Sequence, residues 1–230
     1  MSMNDSSGIT CVGIIMDGNR RWARAEGKPV FEGHNEGYKT LQKFLGWARD
    51  ADIPHVVAYA FSTENWQRSE EEVGHLMSLF RSVLENETEK MKEERVRVCF
   101  VGDRTRFSED IQKQMARLEE ETAQEYGTTL HLLMSYGGRQ EIVAAAKALL
   151  VEEATDVSED SFAKKLWSYP MPDPDLIIRT GGEKRLSNFL PWQSTYSELF
   201  FIDTYWPAFT KEEFDEVLAE FAARERRRGK

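Results

Sequence analysis

Short, continuous, β-branched apolar runs alternate with longer stretches whose apolar residues recur every three or four positions, and this alternation most narrows the fold. Residues 11–16 (Cys-Val-Gly-Ile-Ile-Met), 55–61, 96–101, 130–134, 176–178 and 199–202 are such runs. Apolar runs without polar alternation read as strands buried on both faces. Between them, residues 37–51 set Tyr38, Leu41, Phe44, Leu45 and Ala48 on one helical face, and residues 70–93 do the same with Val73, Leu76, Met77, Phe80 and Leu84. Residues 108–126 bury Ile111, Met115 and Leu118, and further helices are expected over 140–153 and 211–228. Ser69 and Glu72 have the spacing of a capping box. The order predicts an α/β fold with a mostly parallel sheet covered on both sides, as a single domain over 1–230 with residues 1–10 flexible.

The 40 acidic and 30 basic side chains give a formal charge of −10, which speaks against a nucleic-acid partner. Cys11 and Cys99 are too few for a disulfide framework and read as buried thiols of a reducing compartment. No zinc-type His/Cys spacing, signal peptide or membrane-spanning run is visible, so a cytoplasmic protein with at most peripheral membrane contact is expected.

In parallel sheets, ligands bind beyond the carboxyl ends of the strands, so the segments directly after each strand carry the functional information. After the first comes Asp17-Gly18-Asn19-Arg20-Arg21-Trp22. Asn19 is expected to cap a helix starting at Arg20, with arginines poised for an anion. Beside them Asp17 suits a phosphate only if Mg²⁺ bridges carboxylate and phosphate oxygens; the plainer reading is a capped helix with surface arginines. After the second strand, Ser62 and Asn65 offer neutral donors and Arg68 a cation, or else a solvated turn. His34, beside Gly33, reads as a glycine-flanked loop histidine. Ser135-Tyr136-Gly137-Gly138-Arg139 opens a helix after the fourth strand. After the fifth, Arg179, Gly181-Gly182, Arg185 and Ser187 form a second candidate phosphate cradle, with Glu198 as a second acid for metal. Two arginine-bearing cradles imply two phosphate-bearing ligands. No Walker A lysine, dinucleotide fingerprint or nucleophile elbow is present, so the chemistry reads as electrostatic and metal-assisted.

Taken together the motifs resemble the cis-prenyltransferases, the undecaprenyl diphosphate synthase family. The marks are Met16-Asp-Gly-Asn-Arg-Arg-Trp22, Gly33-His34, Tyr59-Ala-Phe-Ser-Thr-Glu-Asn-Trp66 with Arg68, Tyr136-Gly-Gly-Arg139, Asp175-Leu-Ile-Ile-Arg-Thr-Gly-Gly-Glu183, Arg185-Leu-Ser-Asn-Phe-Leu-Pro-Trp-Gln193, Glu198, Trp206-Pro207 and Arg227-Arg-Gly229. The resemblance implies a six-stranded sheet with a hydrophobic tunnel and a Mg²⁺-dependent condensation of isopentenyl diphosphate with an allylic diphosphate, such as farnesyl diphosphate, to a polyprenyl diphosphate such as undecaprenyl diphosphate. It puts the allylic diphosphate on Gly18, Asn19, Arg20, Arg21, Trp22 and Arg68, and isopentenyl diphosphate on Arg179, Arg185 and Ser187. Asp17 and Glu198 would hold the metal, and His34, Ser62, Asn65 and Asp17 would line the reacting centre. It further implies a homodimer in which Glu198 and the basic tail 224–230 complete the partner's site, with peripheral membrane contact at product release.

The chain departs from the family at Val30, where an arginine is usual, with Lys28 as its candidate substitute, and at Ala208, where an acid commonly follows Trp-Pro. The rival reading is a non-catalytic subunit of a heteromeric cis-prenyltransferase; the presence of Asp17, Asn65, Arg185 and Ser187 favours catalysis. Phe44, Leu45, Leu76, Phe80 and Leu84 are candidates both for tunnel wall and for plain core.

Overall fold

The computed structural model describes residues 8–224. Six strands form one sheet: β1 (Cys11–Ile15), β2 (His55–Ser62), β3 (Val96–Val101), β4 (Thr128–Tyr136), β5 (Leu176–Arg179) and β6 (Glu198–Phe201). The order is β3-β4-β2-β1-β5-β6, and every neighbouring pair is parallel. The sheet is therefore wholly parallel, where a mostly parallel one was expected. All five described connections contain helix or long loop, so no hairpin is available to reverse a strand.

The helices are α1 (Asn19–Ala25), α2 (Val30–Asp50), α3 (Glu70–Asn86), α4 (Thr88–Glu93), α5 (Glu109–Glu121), α6 (Gly138–Val151), α7 (Glu159–Ala163) and α8 (Lys211–Ala223). One face of the sheet, through Val12, Ile14, Val56, Val98 and Leu130, meets Phe44 and Leu45 of α2, Phe80 of α3 and Ile111 of α5. The opposite face, through Cys11, Ile15, Val57 and Leu133, meets Met171, Phe189 and Leu190. Burial on both sides is what the uninterrupted apolar runs encode.

Several local expectations change. Helix α2 starts at Val30 rather than at residue 37, so His34 lies on a helix and not in a loop. The helix expected over 70–93 breaks at Glu87 into α3 and α4. Ser69 does accept the Glu72 N–H, at 3.3 Å, but the Glu72 carboxylate turns instead to an arginine. Gly18, not Asn19, is the residue preceding α1, and Asn19 is its first residue. Of the lead expected to be flexible, residues 1–7 lie outside the described residues; Ile9 is buried, and the Thr10 amide and hydroxyl donate to Asp175 Oδ2 at 2.7 and 2.9 Å. The basic tail beyond Arg224 also lies outside them. Among the described residues no helix is long and apolar enough to cross a membrane.

On the second face, His131 of β4 is buried with its Nε2 3.1 Å from Nδ1 of His55. Burial pushes both imidazoles below their ordinary range, His131 to about 3, with the neighbouring His55 adding to the effect there.

Candidate active site

The carboxyl ends of β1, β2, β4 and β5 meet on one edge of the sheet, where β1 stands between strands reached by connections running to opposite sides. Asp17 lies two residues past β1. Its backbone carbonyl accepts the Trp206 N–H at 3.0 Å and the Thr180 hydroxyl at 2.8 Å, which fixes the turn. Gly18 follows at φ 109, and a Cβ there would lie 2.8 Å from the Tyr205 ring, so only glycine fits. Helix α1 crosses α2 closely enough that a Cβ on Gly33 would sit 2.2 Å from the Asn19 carbonyl oxygen. That contact seats Asn19 beside His34, and both line the same cavity.

Arg179 closes β5 with only 5% of its side chain exposed. Its guanidinium donates to Asp17 Oδ2 at 2.8 Å, to Ser187 Oγ at 2.7 Å and to the Arg185 carbonyl. Asp17 Oδ1 is 3.1 Å from Arg21 Nη2. Ser187, Asn188 and Leu190 hold left-handed φ values of 50, 68 and 47°, a conformation that costs a non-glycine residue about 1–3 kcal/mol and persists where surroundings enforce it. The surroundings are visible. Asn188 donates to Glu64 (3.0 Å) and Gln140 (3.1 Å) and accepts the Arg139 N–H (2.9 Å). Beneath the loop, the fully buried Glu141 accepts from the Tyr136 hydroxyl, the Ser168 N–H and Gln193 Nε2 at 2.5, 2.9 and 3.0 Å.

On the β2 side Asn65 Oδ1 accepts the Ser62 N–H at 3.0 Å, closing a reciprocal cap at the turn. Arg68 donates to Glu72 Oε1 at 2.7 Å, and Arg20 lies 3.6 Å from Glu72 Oε2. His34 Nε2 is buried 3.5 Å from Glu72 Oε1, close enough for an ion-pair contact but without an aligned hydrogen bond. Burial first, then Arg68, lowers the His34 pKa below its ordinary value, so the ring is neutral at pH 7. Glu72 is thus the hub of the α1–α2–α3 side, a role its capping-box spacing concealed.

These side chains surround two joined polar cavities. One of about 480 Å³ is lined by Asp17, His34, Ser62, Asn65, Arg68, Arg179 and Ser187. The other, about 310 Å³, adds Gly18, Arg20, Arg21 and Arg24. Arg24 carried no role in the sequence reading, although its spacing of four from Arg20 was a signal. The larger cavity shares Met16, Asn19, His34, Ala60 and Leu76 with an apolar cavity of about 130 Å³ between α2, α3 and the sheet. Leu45, Leu76 and Phe80 line that apolar cavity, whereas Phe44 packs among Trp47, Trp206, Phe209 and Phe214 as core.

Three expected site residues lie elsewhere. Trp22 lines none of these cavities and stacks under the Lys28 ammonium at 5.0 Å. Arg185 sits on the rim, paired with Glu183, and only its carbonyl reaches Arg179. Glu198 opens β6, in register with Leu176 at the amino end of β5, and its carboxylate binds Arg224 at 2.7 Å. In a parallel strand the residue before the apolar run lies at the edge opposite the site, so Glu198 and Asp17 do not meet within one chain.

Among the described residues no three His, Cys, Asp or Glu side chains form a metal cluster by themselves. Asp17 amid arginines fits the other mode, in which Mg²⁺ is held by one carboxylate and by substrate phosphates.

A family profile described as putative undecaprenyl diphosphate synthase matches residues 15–229. An isoprenyl transferase of Thermotoga maritima is 43% identical over 222 residues, 95% of each chain. A ditrans,polycis-undecaprenyl-diphosphate synthase ((2E,6E)-farnesyl-diphosphate specific) of Vibrio vulnificus is 40% identical over 224 residues, covering 95% of this chain and 89% of the relative. Among solved structures, lavandulyl diphosphate synthase from Lavandula x intermedia in complex with dimethylallyl diphosphate superposes with a TM-score of 0.93 at 30% identity, over 98% of this chain and 100% of that one. A probable undecaprenyl diphosphate synthase from Campylobacter jejuni gives 0.82 at 34% identity, over 96% and 99%.

Proposed function

This chain belongs to the undecaprenyl diphosphate synthase family of prenyl transferases, and from that premise we propose that it elongates an allylic diphosphate with isopentenyl diphosphate, forming cis double bonds. The observation that carries the reading is the joining of the arginine-lined cavities to the apolar one at Met16, Asn19, His34, Ala60 and Leu76. A ligand with a diphosphate head and a hydrocarbon tail matches that pair of environments. Each buried CH₂ of such a tail contributes about 0.8 kcal/mol.

In this reading Arg20, Arg21 and Arg68 hold the allylic diphosphate, farnesyl diphosphate being the primer proposed, while Arg179 and Ser187 hold isopentenyl diphosphate, with Arg185 closing from the rim. The allylic C–O bond breaks and its electron pair leaves with diphosphate. The isopentenyl π pair forms the new C–C bond, and a proton is lost from isopentenyl C2. Charge grows on the departing oxygens, and preorganised guanidinium groups stabilise it without reorganisation. Mg²⁺ held by Asp17 would neutralise part of that charge. Neutral His34 and the Ser62–Asn65 turn bound the reacting centre. Asn65 commits its carbonyl to Ser62 and is a poor base, which favours a diphosphate oxygen as proton acceptor.

A homodimer is part of the proposal, because it gives Glu198 a route to a metal: the second copy's site. The joint placement of Asp17, Asn65, Arg68, Arg179 and Ser187 supports catalysis over a non-catalytic subunit. Incubation with labelled isopentenyl diphosphate, farnesyl diphosphate and Mg²⁺ should give butanol-extractable product. Absence of product with every allylic primer would refute the enzyme reading.

A further inference from the structure

One part of the apolar cavity's wall is a polar seam. On α2, Gln42 Nε2 donates to the Tyr38 hydroxyl at 3.1 Å and to Glu87 Oε2 at 3.0 Å across the gap to the α3–α4 break. Tyr38, Gln42 and Glu87 line the inner cavity and also an outer groove of about 530 Å³, whose remaining wall includes Glu32, Glu36 and Lys39. Glu87 is 22% exposed and lies 3.9 Å from Lys90 on the outer side. Burial, with Glu87 nearby, raises the Tyr38 pKa, so the phenol stays protonated.

The inner cavity is small. A 150 Å³ apolar cavity holds about one benzene ring, so one of about 130 Å³ seats roughly one five-carbon isoprene unit. A longer tail that parts α2 from α3 meets a hydrogen-bonded carboxylate at the seam and, beyond it, the outer groove. Hydrocarbon gains burial on the near side of the seam and none on the far side.

We propose that Tyr38, Gln42 and Glu87 form the stop that sets product length: a polar closure that the growing hydrocarbon tail breaks only at a cost. The inference rests on the elongation reading above and specifies which residues limit it. The occupant is the tail itself, since its head is fixed at the arginines and the apolar cavity that continues from them has this seam in its wall.

The test is the product-length distribution, read by reversed-phase chromatography of dephosphorylated products from the full chain with farnesyl diphosphate, labelled isopentenyl diphosphate and Mg²⁺. Gln42→Leu removes both bonds and puts an apolar side chain at the centre of the seam, so the main product should lengthen by at least about one isoprene unit. Tyr38→Phe removes only a hydroxyl and should shift the distribution the same way by a smaller amount; it serves if Gln42→Leu folds poorly. Product of unchanged or shorter length from the folded variants overturns the stop while leaving the elongation reading intact. No product from the unsubstituted chain overturns both.

Discussion

Asp17→Asn separates the two tasks assigned to one carboxylate. The substitution keeps the shape and removes the charge. Arg179, 5% exposed, then loses its charged partner at 2.8 Å, and Arg21 loses one at 3.1 Å in a more exposed setting. A hydrogen bond to a charged group contributes about 1.5–3 kcal/mol and an exposed pair about 0–1 kcal/mol, so the folded state should lose about 2 kcal/mol. For a chain of this size that is a fall in Tm of about 4–8 °C, measurable by scanning calorimetry. Turnover should drop far more, by about 10²–10³, the scale of losing one preorganised electrostatic contact to the transition state. Affinity should move the other way. Asp17 competes with diphosphate for Arg179, so inorganic diphosphate without Mg²⁺ should raise the Tm of Asp17→Asn more than that of the unsubstituted chain. Turnover within about tenfold of normal would refute the metal role. An unchanged Tm together with no extra response to diphosphate would refute the ion-pair account.

Glu72→Gln frees Arg68 and Arg20 from their shared carboxylate; KM for the allylic substrate should change severalfold while KM for isopentenyl diphosphate stays put, and equal changes in both would count against separate subsites. Gly33→Ala pushes a methyl against the Asn19 carbonyl at 2.2 Å and should cost about 1–3 kcal/mol, with a Tm loss that a far-surface Gly74→Ala lacks. The buried His131 titrates at about 3 when folded and near 6.5 when unfolded. Above pH 6.5 neither state binds its proton; below it only the unfolded state does, so stability should fall by about 1.4 kcal/mol per pH unit from 6.5 toward 3. His131→Gln should flatten urea-melt stability between pH 6.5 and 5 relative to the unsubstituted chain, and parallel curves would contradict the assignment.

The sheet was legible because strands buried on both faces leave no room for polar residues; all six runs recur as strands within one or two residues of their expected ends. Helix starts were less so. Gly33-His34 read as loop, yet Gly33 belongs inside α2 because a neighbouring helix needs the space a side chain would fill. The break at Glu87 carries neither glycine nor proline and left no mark. In the site, Asp17, Arg68, Arg179 and Ser187 follow strands and could be found by that rule. Glu72 could not, since its partners Arg68, Arg20 and His34 come from three elements. That Glu198 does not meet Asp17 within one chain was also legible: it precedes an apolar run, and direction along a parallel strand decides which edge a residue occupies.

The sheet order also governs when activity can arise. Asp17 and Arg179 are 162 residues apart in sequence, and β5 pairs with β1, the strand formed from the start of the chain. Until residues 176–179 arrive, β1 is an edge strand with unpaired backbone and buried-type side chains. Such an edge invites pairing with other chains, and closing it late makes folding slow. A nascent chain stopped before residue 176 would therefore have most of its sheet and no active site, and would present its most apolar strand as an open template for aggregation.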